Sequence, residues 1–220
     1  ELTTVTAEFQ SAGKGQRGNS WEAEKGKNLL FSFVLYPTFL EARRQFILSQ
    51  IVSLSIKEEL DRWSDEITIK WPNDIYWRDR KICGILIEND LTGHFIGRSI
   101  SGIGININQD IFRSDAPNPV SLKQITHRKH NRYEILASIL KRIQIYYNGL
   151  QTEERDSYSA EIATRYARSL FRRRGFHPYE DADGRFSARL LRVEQDGRFV
   201  LEDETGKERE YLFKEVQYIV

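Results

Sequence analysis

The sequence is poor in sulfur. It contains one cysteine, Cys83, and no methionine among its 220 residues. A single thiol excludes an intrachain disulfide framework and a cysteine-based zinc cluster, and it favours a reducing, cytoplasmic location. The absence of methionine, even at position 1, leaves open whether the chain is a fragment of a longer protein.

Long apolar runs and excess charge are also lacking. No stretch approaches the roughly 18 apolar residues that a spanning helix needs, and no signal peptide opens the chain. Lys plus Arg number 33 against 32 acidic residues, a formal net charge of +1. Since this balance creates no global positive field, we expect neither a membrane nor a nucleic acid as partner. Any anion-binding site must therefore be local.

The apolar pattern of the first three quarters predicts a mixed α/β domain. Strands are predicted over residues 2–9, 29–36, 67–71, 81–88 and 95–107. Helices are predicted over residues 41–63, 131–151 and 153–169, the first with Lys57, Glu58 and Glu59 at an exposed end. Thr92-Gly93 predicts a hairpin turn between the last two strands, and residues 110–128 are expected to be irregular.

The pattern changes near Gly175. Short strands are predicted over residues 186–193, 198–203 and 210–213, joined by turns at Asp196-Gly197 and Thr205-Gly206. This tail is typical of a small all-β unit, and we expect it to form a barrel. We therefore predict two domains, residues 1–173 and residues 174–220.

Residues 13–21 read Gly-Lys-Gly-Gln-Arg-Gly-Asn-Ser-Trp, a basic loop punctuated by glycine. Backbone N–H groups of such a loop can cradle a phosphate, and Lys14 and Arg17 add charge-assisted hydrogen bonds. Trp21 offers a flat face for a ring such as adenine. The alternative is a solvated surface loop, and the segment fits neither the P-loop nor the dinucleotide-binding pattern.

Two further segments bear polar groups suited to an anionic ligand. Residues 70–74 read Lys-Trp-Pro-Asn-Asp, and Lys81 opens a strand shortly afterwards. A fixed ammonium and oxygen ligands for magnesium are what attack on a phosphate requires. Taken alone, Asn73-Asp74 is equally typical of an Asx turn, and Lys81 of a solvated strand edge.

The three segments in this order resemble the biotin protein ligases, and the resemblance extends over nearly the whole chain. It implies an α/β fold with a class II synthetase-like catalytic domain, followed by a small SH3-like barrel. It also implies a Ser/Thr-Thr-Asn segment upstream of the first strand, which the sequence does not contain. Lys14 stands where arginine is more usual, so charge is kept but bidentate geometry is lost.

The resemblance implies roles for individual residues. Lys81, Lys14 and Arg17 would be catalytic, facing the biotin carboxylate and the phosphates of ATP. The residues implied to line the biotin pocket, besides Lys14 and Lys81, are Gln10, Gly13, Gln16, Gly84 and Leu86. Those implied to bind ATP, besides Arg17, are Trp21, Lys70, Asn73 and Asn106. Asp74 and Asn106 would hold Mg²⁺ through the phosphates.

The activity implied is ATP-dependent activation of biotin and its transfer to a lysine of a biotin carboxyl carrier protein. A homodimer through an exposed sheet edge is compatible with this fold. One alternative is a lipoate or octanoate ligase of the same fold, whose usual Arg-Arg-x-Ser-Gly-Gly-Gly loop is absent. The other is a biotin-responsive DNA-binding regulator, which would need a DNA-reading helix upstream of Glu1.

Overall fold

The structure, a computed structural model, describes residues 1–13, 15, 20–114 and 116–219. Its larger sheet has six strands, which in chain order are β1 (Thr4–Ala7), β2 (Leu29–Leu35), β3 (Ile67–Lys70), β4 (Asp74–Trp77), β5 (Arg80–Thr92) and β6 (Phe95–Ile105). Their spatial order is β1-β2-β6-β5-β4-β3, with every neighbouring pair antiparallel. The hairpin predicted at Thr92-Gly93 is confirmed, and Gly93 takes a φ of +60° there.

In the described part of the chain, four α-helices accompany this sheet: α1 (Phe46–Leu60), α2 (Leu122–Thr126), α3 (Arg132–Gly149) and α4 (Arg155–Arg168). Asn131 begins α3, because its side-chain oxygen accepts from the backbone N–H groups of Tyr133 and Glu134. The apolar stripe of this helix, which includes Ile139 and Ile143, is buried. It packs on α1, so the helices and the sheet share one apolar core.

Side chains on the central strands alternate between that core and a second face. On β2, Phe31 and Phe33 are buried in the core, whereas Ser32 between them points the other way. On β6, Gly102 pairs with Ser32 and lies on the same face. The second face of the sheet is therefore lined by small groups, and the candidate site forms there.

The C-terminal unit is a five-stranded antiparallel sheet. Its strands are β7 (His177–Asp181), β8 (Gly184–Val193), β9 (Phe199–Asp203), β10 (Glu208–Tyr211) and β11 (Gln217–Tyr218), in the spatial order β10-β9-β8-β7-β11. Gly197 and Gly206 adopt left-handed φ values of +94° and +81° in the two predicted turns. The predicted α/β fold class with a C-terminal β unit is confirmed, and the boundary between residues 173 and 174 stays a prediction.

Several local predictions are wrong. The prediction misses β4, β7 and β11, since each is short and β7 carries a proline within it. Residues 110–128 are not wholly irregular, because Ser121 and Gln124 form a capping box that begins α2. Glu59 is fully buried rather than exposed, where it accepts hydrogen bonds from Arg62 and Ser138.

In the described part of the chain, no helix has both the length and the apolar character needed to cross a bilayer.

Candidate ligand-binding site

A cavity of about 910 Å³ lies between the second face of the large sheet and the C-terminal unit. This volume is at the upper end of the range of roughly 300–1,000 Å³ that is usual for small-molecule sites. Among the described residues, those that line it come from the floor of the large sheet, the segment between β1 and β2, the β3–β4 connection and residues 213–218. The space is large enough for two small molecules to lie side by side.

The floor of the cavity is built from glycine. Gly84 on β5 pairs directly with Gly104 on β6, and Leu86 pairs with Gly102 two residues along. The indole of Trp21 lies across the first pair. A Cβ atom would lie 2.8 Å from the ring at Gly84 and 2.5 Å from it at Gly104. These glycines are therefore required for a flat group to approach the backbone of the sheet closely.

Trp21 is held at its backbone by the other side of the loop. Its N–H donates to the carbonyl of Gly13 at 2.9 Å. A Cβ at Gly13 would lie 2.6 Å from the Trp21 carbonyl, so the approach of the two segments also needs glycine. Gln10 lines the cavity beside this point, whereas Gly13 supports Trp21 from behind. Lys14, Gln16 and Arg17 lie outside the described residues.

Lys81 and Asp74 form an ion pair on the cavity wall. The Nζ atom of Lys81 donates to Asp74 Oδ2 at 2.6 Å, and both side chains remain about a third exposed. The backbone of Lys81 is fixed in turn, since its N–H donates to Asn118 and its carbonyl accepts from Val120. The ammonium is thus directed into the cavity from a rigid strand, 5.9 Å from the Trp21 ring centroid.

Lys70 presents a second ammonium to the same cavity from the end of β3. Its Nζ lies 4.9 Å from the ring centroids of both Tyr76 and Tyr218, and 3.3 Å from the Tyr76 hydroxyl. Burial lowers the pKa of Lys70; Asp74 opposes this effect, and the positive charges of Lys81 and Arg172 add to it. This lysine is therefore easier to deprotonate than an ordinary surface lysine.

The other residues of the Lys-Trp-Pro-Asn-Asp segment also line the cavity, and its tryptophan reaches the C-terminal unit as well. Asn73 lines the cavity and is buried. Trp71 is 5% exposed, its Nε1–H donates to the carbonyl of Gly197 at 3.0 Å, and its ring stacks on Phe199 at a centroid distance of 4.9 Å. The tryptophan of this segment therefore fastens the cavity wall to the C-terminal unit.

Asn106 differs from the other predicted site residues. It is 2% exposed and is not among the described residues that line the cavity. Its backbone bonds to Ile82 and Leu122, while its Oδ1 has no hydrogen-bond partner in the described part of the chain. Its role toward ATP and metal stays a prediction.

Cys83, expected to be a core residue, is fully buried, and burial raises its pKa well above the ordinary value. A neutral thiol in the core does not face the cavity. This position agrees with a site that works without a cysteine nucleophile.

Sequence reasoning missed the part of the cavity wall that the C-terminal unit provides. The residues concerned are Phe213, Lys214, Val216, Gln217 and Tyr218. No local pattern in the sequence marks them, because they meet the β3–β4 connection only through the folding of the whole chain. The Gly-x-Gly pattern at residues 102–104 was the available signal for the floor, although read alone it is typical of a structural strand.

Comparisons with known proteins agree on one family. Residues 1–106 match the Biotin/lipoate A/B protein ligase family. The bifunctional ligase/repressor BirA of Bacillus subtilis is 29% identical over 227 residues, covering 96% of this chain and 65% of that protein. The corresponding protein of Salmonella typhimurium is 38% identical over 105 residues, covering 46% of this chain and 32% of its own length. This chain thus spans about two thirds of its Bacillus relatives or less.

Among solved structures, the chain is similar to the biotin protein ligase of Aquifex aeolicus in complex with biotin and ATP. The two share a TM-score of 0.79 and 25% identity, over 98% of this chain and 89% of that one. The similarity includes the C-terminal sheet, since nearly all of both chains is aligned. It therefore supports the two-part architecture described above.

Proposed function

We propose that this chain, whose residues 1–106 match the Biotin/lipoate A/B protein ligase family, is an ATP-dependent biotin–protein ligase. Its substrates would be biotin, ATP and a biotin carboxyl carrier protein. Relatives named biotin–[acetyl-CoA-carboxylase] ligase, such as that of Paracoccus denitrificans at 33% identity over 47% of this chain, support the choice of carrier.

The observation that carries the proposal is the Lys81–Asp74 pair beside a glycine floor in a cavity of about 910 Å³. The floor at Gly102, beside the part that the Trp21 indole covers, accepts a flat bicyclic ring, and the adjoining lysines accept anions. Lys81 and Lys70 supply two ammonium groups on the same wall. This combination of a bare apolar slot and local positive charge fits a ring-bearing carboxylic acid next to a nucleotide.

The first step joins two anions, so its barrier is largely electrostatic. A carboxylate oxygen of biotin attacks the α-phosphorus of ATP, the bond to the β-phosphate bridging oxygen breaks, and pyrophosphate leaves. Negative charge grows on the α-phosphate oxygens as the acid and nucleotide approach. The Lys81 ammonium, held by Asp74, would stabilise that charge without having to reorient.

The second step transfers the acyl group. The ε-amine of a carrier lysine attacks the carbonyl of the biotinyl-5′-AMP, the mixed-anhydride bond breaks, and AMP leaves with the electron pair. The attacking amine must lose its proton, and no covalent intermediate with the enzyme is needed. The buried, neutral Cys83 is consistent with such a direct transfer.

The residues at the site fit magnesium held mainly by substrate phosphates. In the described residues there is no group of three or more His, Cys, Asp or Glu side chains able to hold a metal alone. Mg²⁺ usually binds through one or two carboxylates together with phosphates and water, and Asp74 offers one such carboxylate at the cavity. When bound, the ion would neutralise phosphate charge.

The loop between Gly13 and Trp21, whose two ends are already hydrogen-bonded to each other, would close over the ligands. We expect it to become resistant to trypsin, which cleaves after Lys14 and Arg17, when biotin and ATP are both added. Equal cleavage rates with and without ligands would contradict closure.

ATP–pyrophosphate exchange with biotin, lipoate and octanoate supplied separately is the decisive experiment. Exchange with biotin alone is the expected result, and it would identify biotin as the acid that is activated. Exchange with lipoate or octanoate would move the protein to the neighbouring branch of the same family. Folded protein that exchanges with none of the three would contradict the proposed activity.

A further inference from the structure

Gln109 is a buried polar residue outside the cavity whose side chain is completely engaged. It is 1% exposed and is not among the described residues that line the cavity. Its Oε1 accepts from the backbone N–H of Glu24 at 2.9 Å and from Asn28 Nδ2 at 2.5 Å. Its Nε2 donates to the carbonyl of Ile111 at 2.9 Å and to Glu22 Oε1 at 3.2 Å.

These bonds join two segments that are more than 80 residues apart in sequence. Glu22 extends the connection, because its carboxylate accepts from the backbone N–H groups of Arg113 and Ser114. Although desolvation opposes it, the hydrogen bonds from Ser114, Arg113 and Gln109 lower the pKa of Glu22 below its ordinary value. We call Gln109, Glu22 and the groups they bind the Gln109 clamp.

The Gln109 clamp holds two parts of the chain that position Trp21, which are the backbone next to this residue and the strand beneath its ring. Glu22 directly follows Trp21, so fixing Glu22 fixes the backbone from which the indole extends. Gln109 also follows β6 by four residues, and β6 carries Gly104, on which the indole lies. Asn28 ties the same strand end, since its Oδ1 accepts from Ile107 N at 3.1 Å. The Gln109 side chain therefore fixes the position of the Trp21 ring relative to β6, the strand on which the ring lies.

We infer that Gln109 is a positioning residue that holds Trp21 across the glycine floor, so that the ring is already in place when the nucleotide binds. This inference rests on the proposed function insofar as Trp21 is expected to stack on adenine. A residue that only supported the fold would lower stability and leave the Trp21-dependent part of ATP binding unchanged.

Gln109→Leu keeps approximate volume and removes all four hydrogen bonds. We expect the KM for ATP to rise about tenfold while kcat changes less than about threefold, a coupling within the range of contacting residues. The matched control is Gln50→Leu, the same change at a buried position of α1 remote from Trp21. It should leave the KM for ATP unchanged.

A double-mutant cycle separates positioning from general support. In a Trp21→Ala background, Gln109→Leu should raise the KM for ATP by less than about twofold, because the residue it acts through is gone. If Gln109→Leu and Trp21→Ala change the KM for ATP by independent factors, the inference is overturned. Glu22→Ala removes the outer half of the clamp at a partly exposed site, so it should shift KM in the same direction if Gln109→Leu folds poorly.

Acrylamide quenching gives a readout that does not depend on activity. The contribution of Trp21 is the difference between the protein and its Trp21→Phe variant. Gln109→Leu should increase quenching of that contribution at least about twofold without ligand, and Gln50→Leu should not. If biotin is not activated but quenching still rises, the proposed function fails and the positioning role stands. Unchanged quenching in folded Gln109→Leu overturns the role.

Discussion

The two sheets of this protein treat their apolar faces in opposite ways. The six-stranded sheet has few side chains of its own over the cavity, where Gly102 leaves the backbone open and Gly84 and Gly104 make room for the Trp21 indole. The five-stranded sheet fills its interior with rings, which are Tyr179, Phe186, Phe199, Tyr211 and Tyr218. The comparison teaches that a ligand cavity forms where a sheet face has few side chains. Stability, by contrast, comes from the sheet face on which side chains pack closely. Substitutions should therefore separate cleanly into two classes.

The largest effect is expected in the ring cluster, and it should concern stability. Phe199 is 1% exposed and contacts Trp71, Tyr179 and Tyr218. Phe199→Ala should lower the free energy of unfolding by about 3–5 kcal/mol, because the buried ring leaves a cavity. Urea denaturation measures this change.

The control for that change is Phe176→Ala, whose ring is 44% exposed on the same unit. It should cost less than about 1 kcal/mol. An equal loss at both positions would mean that the ring cluster does not supply the stability of the C-terminal unit.

The next effect concerns the charge at the cavity wall. Lys81→Ala should reduce ATP–pyrophosphate exchange at least about 100-fold and leave the fold intact, since one preorganised electrostatic contact is lost. Lys57→Ala is the matched control, because Lys57 pairs with Asp61 at the same distance of 2.6 Å on α1, away from the cavity. Near-normal exchange in Lys81→Ala would remove this lysine from the chemistry.

A smaller effect is expected from adding one methyl group to the floor. Gly104→Ala places a Cβ 2.5 Å from the Trp21 ring, so the ring must move. We expect the affinity for ATP to fall about tenfold, the scale of a disturbed neighbouring contact. Among the described residues, a Cβ at Gly102 would meet only Ser32 and Leu86, at 3.6 Å or more.

The Gly102→Ala variant should therefore leave the emission spectrum of Trp21 unchanged, whereas Gly104→Ala should shift it. The same spectral shift in both variants would show that the floor, and not the ring on it, responds to the added methyl.

The smallest effect is a shift in the pH dependence of kcat/KM for ATP. The pKa of Lys70 is lowered, and its charged form is the one that binds phosphate, so kcat/KM for ATP should fall as pH rises through a value below that of an ordinary lysine. Lys70→Arg should move this fall to higher pH. An alkaline limb that is identical in the two proteins would assign it to another group.

The same pKa shift affects stability with the opposite sign. The folded protein releases the Lys70 proton at lower pH than the unfolded chain does. Between the two pKa values the unfolded chain binds more protons, so the contribution of this group to the free energy of unfolding increases with pH. Enzyme activity and stability should therefore diverge in the alkaline range.

The sequence predicted the parts of the fold that local pattern controls. The strand predicted over residues 29–36 and the helix predicted over residues 131–151 follow from the apolar pattern, and both are confirmed as Leu29–Leu35 and Arg132–Gly149. Glu59 was predicted wrongly because a charged residue near a helix end is usually solvated, whereas Arg62 and Ser138 pair with it inside the protein. Only tertiary contacts reveal such compensation.

The candidate site likewise has one part that the sequence predicts and another that only the folded structure reveals. Lys70, Asp74 and Lys81 lie within 12 residues of each other, and the structure brings them to one wall. Lys214 and Tyr218 reach that wall from more than 130 residues away, and no spacing rule connects them to it. Asn106, by contrast, lies beside the floor in sequence, yet the turn of the chain after β6 buries it behind the strand.

The bond from Trp71 to Gly197, with the stacking of Trp71 on Phe199, has a consequence for recombination among related ligases. A breakpoint placed between residues 173 and 174 separates the indole from both the carbonyl and the ring that hold it. A chimaera with a foreign C-terminal unit would inherit Lys70 and Lys81 but not the anchorage of the segment that carries Lys70. Exchange of C-terminal units should therefore succeed only when the new unit provides a carbonyl and an aromatic ring at the positions of Gly197 and Phe199, where they can bind Trp71.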